Sequence, residues 1–136
     1  MLTRYPDWRA RLAGYVSVSR RRTFAYGSFD CALFAAGAVE VQTGVDLRRQ
    51  LAGRYTTEIG AARVLRRNGF ADPAEIAAAL LPRIPVAAAR HGDIAAIRTG
   101  AGVALAVVGG PHLLAARAGC GLIALPLTAA FAAFRV

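Results

Sequence analysis

Residues 24–39 read FAYGSFDCALFAAGAV, and within them an irregular polar segment changes into an apolar helix. The YGSF stretch at residues 26–29 is typical of a loop, whereas small and apolar residues recur at helical spacing after Cys31. Asp30 is therefore predicted to be the N-cap of this helix. Gly44 is predicted to end it, because Gly commonly follows the last helical turn.

Cys31 falls in the first turn of the predicted helix, and its position has two interpretations. Unpaired backbone N–H groups and the positive end of the helix dipole favour a thiolate, which makes Cys31 a candidate nucleophile. The alternative is a small core residue, because free Cys is among the most frequently buried residue types. Position alone leaves both interpretations open.

Length and charge limit the possible functions. The 136 residues are enough for one domain with its own core, taken here as residues 1–136. The formal net charge is +9, and all seventeen basic residues are Arg. Such a charge attracts nucleic acid, anionic cell-wall polymers or an acidic partner. Only Arg20, Arg21 and Arg22 form a run of three, which we interpret as a solvated surface or a contact to an acidic neighbour.

Several classes of site and segment are not expected. Two Cys and two His without paired spacing indicate neither a disulfide framework nor a zinc site, so we expect no metal and no cofactor. The YPDW stretch at residues 5–8 interrupts any signal-peptide pattern. Gly, Pro and Arg interrupt the apolar residues 101–134, so no membrane span is expected.

The chain divides into a helical half and a stranded half. Capping signals and periodicity predict, besides the central helix, helices at residues 6–16, 57–67 and 72–81 and a short helix within residues 45–55. An extended passage at residues 82–85 precedes an antiparallel meander at residues 93–97, 103–108, 113–116 and 122–125. Residues 128–134 are predicted as one or two helical turns, and residues 135–136 as a final edge strand. The order indicates an α+β fold, with N-terminal helices packed on a small C-terminal antiparallel β-sheet.

A single hydrophobic core is expected to join the central helix to the sheet. Its predicted members are Phe24, Phe29, Leu33, Phe34, Val41, Ile94, Ile97, Val107 and Leu125.

The order of these motifs resembles the NlpC-type cysteine peptidases, a papain-like family that cleaves peptidoglycan stem peptides. The matching segments are YGSFDCALF at residues 26–34, RHGDI at residues 90–94 and the strand within residues 103–110. Small phage- and prophage-encoded tail-associated relatives of that family are similar at FAYG (24–27), TGVD (43–46), GRYTT (53–57) and LPL (125–127). The resemblance covers nearly the whole chain and implies a papain-like fold with Cys31 as the nucleophile.

The sequence departs from that family at the general base. In the family a His begins the strand after the Gly-Asp strand, and a polar residue on the following strand orients it. By order, Gly102 or Val103 stands at the first position, and Ala115 or Ala116 stands at the second. None of these side chains can accept a proton.

The two His residues fall at other places. His91 occupies the turn where the family usually has Pro, and we interpret it as an exposed turn residue. His112 comes one strand too late and is only a weak candidate base for Cys31. Asp93 is interpreted as an anchor of its own turn, and Asp30 as a helix cap. We therefore expect no His close to Cys31.

Three functions remain as hypotheses. The first is a tail-tip component of a phage or phage-derived particle, with a degenerate NlpC-like peptidase fold that acts as a structural or adaptor subunit at the cell-envelope end of the tail. Its partners would be other tail-tip proteins and peptidoglycan, through a salt-sensitive contact, and it would be made in the host cytoplasm without a signal peptide and located in the virion tail. The second is an active peptidoglycan-cleaving cysteine peptidase that uses Cys31 and His112. The third is a basic nucleic-acid-binding protein, although no specific recognition motif is present.

Overall fold

The fold is α+β, as the order of elements predicted. A computed structural model describes residues 2–136. Within them lie the helices α1 (Trp8–Ser19), α2 (Cys31–Thr43), α3 (Glu58–Arg67) and α4 (Pro73–Leu80). The strands are β1 (Arg83–Ile84), β2 (Ile94–Thr99), β3 (Gly102–Val108), β4 (His112–Arg117), β5 (Gly121–Pro126) and β6 (Ala130–Phe134). No helix of residues 2–136 combines the length and hydrophobicity that a membrane span requires.

All six strands belong to one antiparallel sheet with the order β1-β6-β2-β3-β4-β5. β2 to β5 form the predicted meander, in which each strand pairs with the next one along the chain. β6 lies between β1 and β2. The last strand is therefore an interior strand. The edges of the sheet are β1, which has two residues, and β5.

The prediction for residues 128–134 is wrong. A 3-10 turn at Leu127–Ala129 leads directly into β6, and Ala132, Ala133 and Phe134 are buried. Pairing with strands on both sides overrides the helical preference of the Ala residues.

Two further local predictions are also wrong. Arg135 and Val136 lie beyond the end of β6 and form no edge strand; the Arg135 N–H binds the Pro82 carbonyl next to β1, and the Val136 N–H binds the Asp93 carboxylate. Residues 45–55 form an irregular segment with turns at residues 49–53 instead of a short helix. Before these turns the carboxylate of Asp46 accepts a hydrogen bond from the Arg48 N–H at 2.8 Å, a local bond that competes with helix formation.

Both ends of α2 follow the predicted capping pattern. The Asp30 carboxylate accepts a hydrogen bond from the Leu33 N–H, and Gly44 ends the helix with φ of 80°. Midway, Gly37 leaves space for the Tyr15 ring of α1, and the Tyr15 hydroxyl donates to the Phe34 carbonyl at 2.9 Å. A β-carbon at residue 37 would collide with that ring. The sequence thus allows α1 and α2 to pack closely.

The hydrophobic core has three parts rather than the single one predicted. Between the helices and one face of the sheet lie Phe29, Phe34, Ile94 and Val107, with Phe24 and Val41 partly buried against them. Ile97 and Leu125 belong to a cluster on the opposite face of the sheet, which includes Ala95, Ala106, Val108, Leu113 and Ala115. Leu33 belongs to a third cluster, with Leu51, Tyr55, Val64 and Leu65. Side chains in β2 to β4 are therefore buried on both faces of the sheet.

Asp93 is buried and joins three segments of the chain. One carboxylate oxygen accepts hydrogen bonds from the Arg4 guanidinium at 3.2 Å and from the Val136 N–H at 3.1 Å. The other accepts from the Arg90 N–H at 2.9 Å, as a turn anchor does. Asp93 therefore has the predicted turn role and also holds the segments around Arg4 and Val136 to the start of β2.

Replacing Phe34 with Ala tests the helix–sheet core. Phe34 is fully buried, so Phe34→Ala is expected to lower the free energy of unfolding by about 3–5 kcal/mol in a urea titration. Ile59→Ala is the matched control, because Ile59 is 68% exposed. A loss below about 1 kcal/mol for Phe34→Ala would contradict the packing of this helix face.

Candidate functional site

A cavity of about 810 Å³ opens above the N-terminal end of α2. Cys31 lines it from the helix, Gly102 and Val103 from the start of β3, and Ala115 and Ala116 from the end of β4. Its volume falls within the range of small-ligand sites. The candidate nucleophile Cys31 therefore lies at a cavity that is able to hold a ligand.

The surroundings of the Cys31 thiol disfavour its thiolate form. Burial raises its pKa to about 11 and outweighs every other influence. Backbone N–H groups of Leu105, Ala32 and Cys31 itself favour the thiolate, and the nearby charge of Asp30 disfavours it. The expectation that the helix N-terminus favours the thiolate is therefore right in direction, but burial is the larger effect. At neutral pH Cys31 is a thiol.

Apolar residues line the cavity at the positions where the resemblance implies a general base and its orienting residue. Val103 and Leu105 lie two residues apart in β3, so their side chains are on the same face of the strand. The backbone N–H of Leu105 interacts with the Cys31 sulfur. Val103 is partly buried against the helix–sheet core. Ala115 and Ala116 line the cavity from β4. These side chains can shape the cavity but cannot transfer a proton.

The structure does not bring His112 together with Cys31. His112 is exposed at the start of β4 and pairs with Pro126, whereas the end of β4 at Ala116 and Arg117 lines the cavity. Four residues along a strand span about 13 Å. His112 is therefore not positioned as a general base.

His91 also lies elsewhere in the fold. It is exposed, and its ring meets the Trp8 ring edge-on with a centroid distance of 5.5 Å. Partial burial, followed by the charges of Arg9 and Arg4, lowers its pKa. Among residues 2–136, neither His91 nor His112 lines the cavity.

Asp30 is a buried carboxylate held by hydrogen bonds. One oxygen accepts from the Leu33 N–H at 3.0 Å. The other accepts from the Gly27 N–H at 3.0 Å and from the Tyr55 hydroxyl at 2.6 Å. Within residues 2–136 no cation lies within ion-pair distance of it. Three donors therefore compensate for its burial, which gives Asp30 a structural role at the cavity.

Tyr55 is a cavity residue to which the sequence analysis assigned no role. Burial and the hydrogen bond to Asp30 raise its pKa, so its hydroxyl stays protonated and donates. Gly27 has φ of 85°, and the Tyr55 carbonyl occupies the space where a β-carbon at residue 27 would lie. The GRYTT motif at residues 53–57 marked this segment, but it carried no indication of its contact with Asp30.

Charged residues on two sides of the cavity were also missed. Glu58 of α3 and Asp72, the N-cap of α4, line it on the helical side. Arg98 of β2 and Arg117 of β4 line it on the sheet side. The Arg98 guanidinium lies 4.3 Å from the Phe131 ring centroid, which fixes its position. These residues come from distant segments, so sequence spacing alone could not group them.

The arrangement can hold a ligand, and no imidazole is among the described residues that line it. A cavity with charged sides can hold a polar ligand. The pKa of the Cys31 thiol is raised, and Val103 of β3 lines the cavity where the resemblance implies a base. Among residues 2–136 no cluster of three or more His, Cys, Asp or Glu side chains is placed to hold a metal ion.

Alkylation of Cys31 tests its protonation state. In a Cys120→Ser variant, the rate of Cys31 alkylation by iodoacetamide, followed by mass spectrometry, is expected to rise continuously between about pH 7 and pH 10. The reason is that the thiolate fraction increases until the pH passes the pKa of about 11. A Cys31→Ser variant reports the exposed Cys120 under the same conditions. A rate that is already constant near pH 7 would indicate an activated thiolate.

Removing the Tyr55 hydroxyl tests the support of Asp30. Tyr55→Phe leaves one oxygen of the buried carboxylate with a single donor, so the free energy of unfolding should fall by about 1–3 kcal/mol. Tyr26→Phe is the control, because Tyr26 lines the same cavity and, within residues 2–136, shows no such hydrogen bond. Equal stability of wild type and Tyr55→Phe in thermal and urea unfolding would contradict this role.

Comparisons with known proteins support a family assignment. A search of the curated proteins finds no match to this sequence. The model of a family described as a domain of unknown function (DUF6950) matches residues 3–136. Since this match covers almost the whole chain, including every element around the Cys31 cavity, the protein belongs to the DUF6950 family.

Proposed function

We propose that this chain is a catalytically inactive, NlpC-like domain that serves as a structural or adaptor subunit at the tail tip of a phage or phage-derived particle. The observation that carries the proposal is the Cys31 cavity, where Cys31 begins a buried helix and no His is among the described lining residues. The proposal therefore separates an NlpC-like fold from the chemistry of that family.

The arrangement of α2 and the meander supports a papain-like fold. Cys31 is the first residue of a buried central helix, and the RHGDI turn at residues 90–94 leads into β2 of the antiparallel sheet. The start of β3 then lies against the Cys31 cavity. This is the order of parts that the resemblance to the NlpC-type peptidases implies.

The competing enzymatic function is disfavoured by geometry. A cysteine peptidase of this kind needs an imidazole within hydrogen-bond distance of the sulfur. His112 lies at the opposite end of β4 from the residues that line the cavity. The raised pKa of Cys31 agrees with the absence of an ion pair between thiolate and imidazolium.

The location at a tail tip rests on the motifs shared with phage tail-associated relatives. An adaptor needs surfaces for partners rather than a catalytic site, and the net charge of +9 suits acidic partner subunits or the anionic cell envelope. Nucleic acid remains the least favoured partner, because charge is the only feature that suggests it.

Digestion of purified peptidoglycan tests the loss of catalysis. Wild type and the Cys31→Ala, His112→Ala and Val103→His variants are incubated with murein, and released peptides are measured by mass spectrometry. We expect no release by wild type or Cys31→Ala, because no base activates the thiol. The Val103→His variant shows whether an imidazole at the start of β3 produces turnover. Release by wild type that is lost in both Cys31→Ala and His112→Ala would establish the active peptidase instead.

Purified particles test the proposed location. In the host that encodes this chain, particles are induced and separated from soluble proteins, and mass spectrometry then measures the chain relative to the tail proteins. We expect it to copurify with tails, and deletion of its gene to leave incomplete tail tips in electron micrographs. A chain that is present in the lysate but absent from particles with normal tails would contradict the adaptor role.

A further inference from the structure

A basic and aromatic surface lies away from the Cys31 cavity, where the N-terminal segment, the turn before β2 and the residues after β6 meet. We define it by the side chains of Arg4, Trp8, Arg9, His91 and Arg135. The Cζ atoms of Arg4 and Arg9 lie 4.2 Å and 4.5 Å from the Trp8 ring centroid, and the His91 ring meets Trp8 edge-on. Arg9, His91 and Arg135 are exposed. Residues distant in sequence thus form one positively charged surface.

Internal contacts hold this surface in a fixed shape. The Arg4 guanidinium donates to the His91 carbonyl at 3.1 Å and to the Asp93 carboxylate at 3.2 Å. Asp93 also accepts from the N–H of Val136, which fixes the backbone next to Arg135. The Arg135 N–H donates to the Pro82 carbonyl. Binding at this surface therefore requires little further ordering of the backbone.

The positive charges of this surface exceed the negative charges beside it. Within residues 2–136, Arg4 forms an ion pair with the buried Asp93, whereas Arg9 and Arg135 take part in no ion pair. Partial burial lowers the pKa of Arg4; Asp93 opposes this effect, and the charges of Arg9 and Arg135 add to it. Like charges held this close repel one another, so an anion placed between them gains from each.

We propose that this basic and aromatic surface docks an acidic segment of a partner protein, with carboxylates bound by Arg9 and Arg135. Guanidinium groups bind carboxylates through paired hydrogen bonds, and both groups have free donors. The surface is compact and is formed at one place in the fold, which fits a short run of Asp or Glu. It stands apart from the Cys31 cavity and uses none of the residues that line it.

Features of Trp8 favour a carboxylate partner over a nucleic acid. Proteins that bind single strands stack bases on free aromatic faces. Trp8 is only partly exposed, and its ring already contacts two guanidinium groups and His91. Duplex binding uses a long series of phosphate contacts, whereas this surface offers a short cluster of charges. The ring therefore serves to position Arg4 and Arg9.

Binding of a labelled oligoglutamate peptide to the full chain tests the proposal. Fluorescence anisotropy at about 0.15 M salt measures the affinity of wild type, of Arg9→Ala/Arg135→Ala and of the control Arg63→Ala/Arg66→Ala, which removes two exposed Arg side chains of α3. Both variants lose two positive charges, but only the first alters the proposed surface. We expect a loss of about tenfold or more for Arg9→Ala/Arg135→Ala, because charge-assisted hydrogen bonds are removed. The control should change affinity by less than about threefold, since it alters only distant charge.

Single-stranded DNA of the same length and charge is the competing probe. The proposal is supported if this DNA binds more weakly than oligoglutamate and if its binding does not depend on Arg9 and Arg135. Equal losses in both double variants would overturn it, because binding would then reflect net charge alone. Tighter binding of DNA that depends on Arg9 and Arg135 would also overturn it and assign the surface to nucleic acid. Circular dichroism establishes that each variant is folded before its affinity is compared.

Discussion

The buried carboxylate of Asp30 is the contact on which the Cys31 region depends. It fixes the first turn of α2 through Leu33, the preceding loop through Gly27 and the segment before α3 through Tyr55. Removing a carboxylate from water is costly, and only the three donors converging on it make the burial tolerable. The position of Cys31 relative to β3 follows from this arrangement, because Asp30 sets where the helix begins.

Burial and the helix N-terminus act in opposite directions on Cys31. The backbone N–H groups favour a thiolate, whereas partial removal of the half-buried Cys31 from water and the nearby charge of Asp30 raise the pKa of its thiol. A papain-like enzyme overcomes such a penalty by placing an imidazolium beside the sulfur. Here Val103 faces the cavity instead, so the same burial that stabilises the fold keeps the sulfur protonated.

The sequence allowed local features to be predicted better than long-range ones. The caps Asp30, Gly44 and Asp72 were predictable because capping depends on a few neighbouring residues. The strand at residues 130–134 was not, since its Ala residues favour a helix until β1 and β2 supply partners. Likewise, the Tyr55–Asp30 hydrogen bond and the charged sides of the cavity join segments whose spacing in sequence gives no sign of their contact.

The interior position of β6 has a consequence for how the sheet is completed. β1 and β2 precede β6 in the chain; β1 pairs with β6, and β2 pairs with β3 on one side and with β6 on the other. Without β6, the strand β2 would be an edge of the meander, and its unpaired backbone groups would be a template for pairing with other chains. Closing the longest loop of the sheet also carries the largest entropic cost. Insertion of β6 therefore protects the nascent domain from edge-to-edge aggregation.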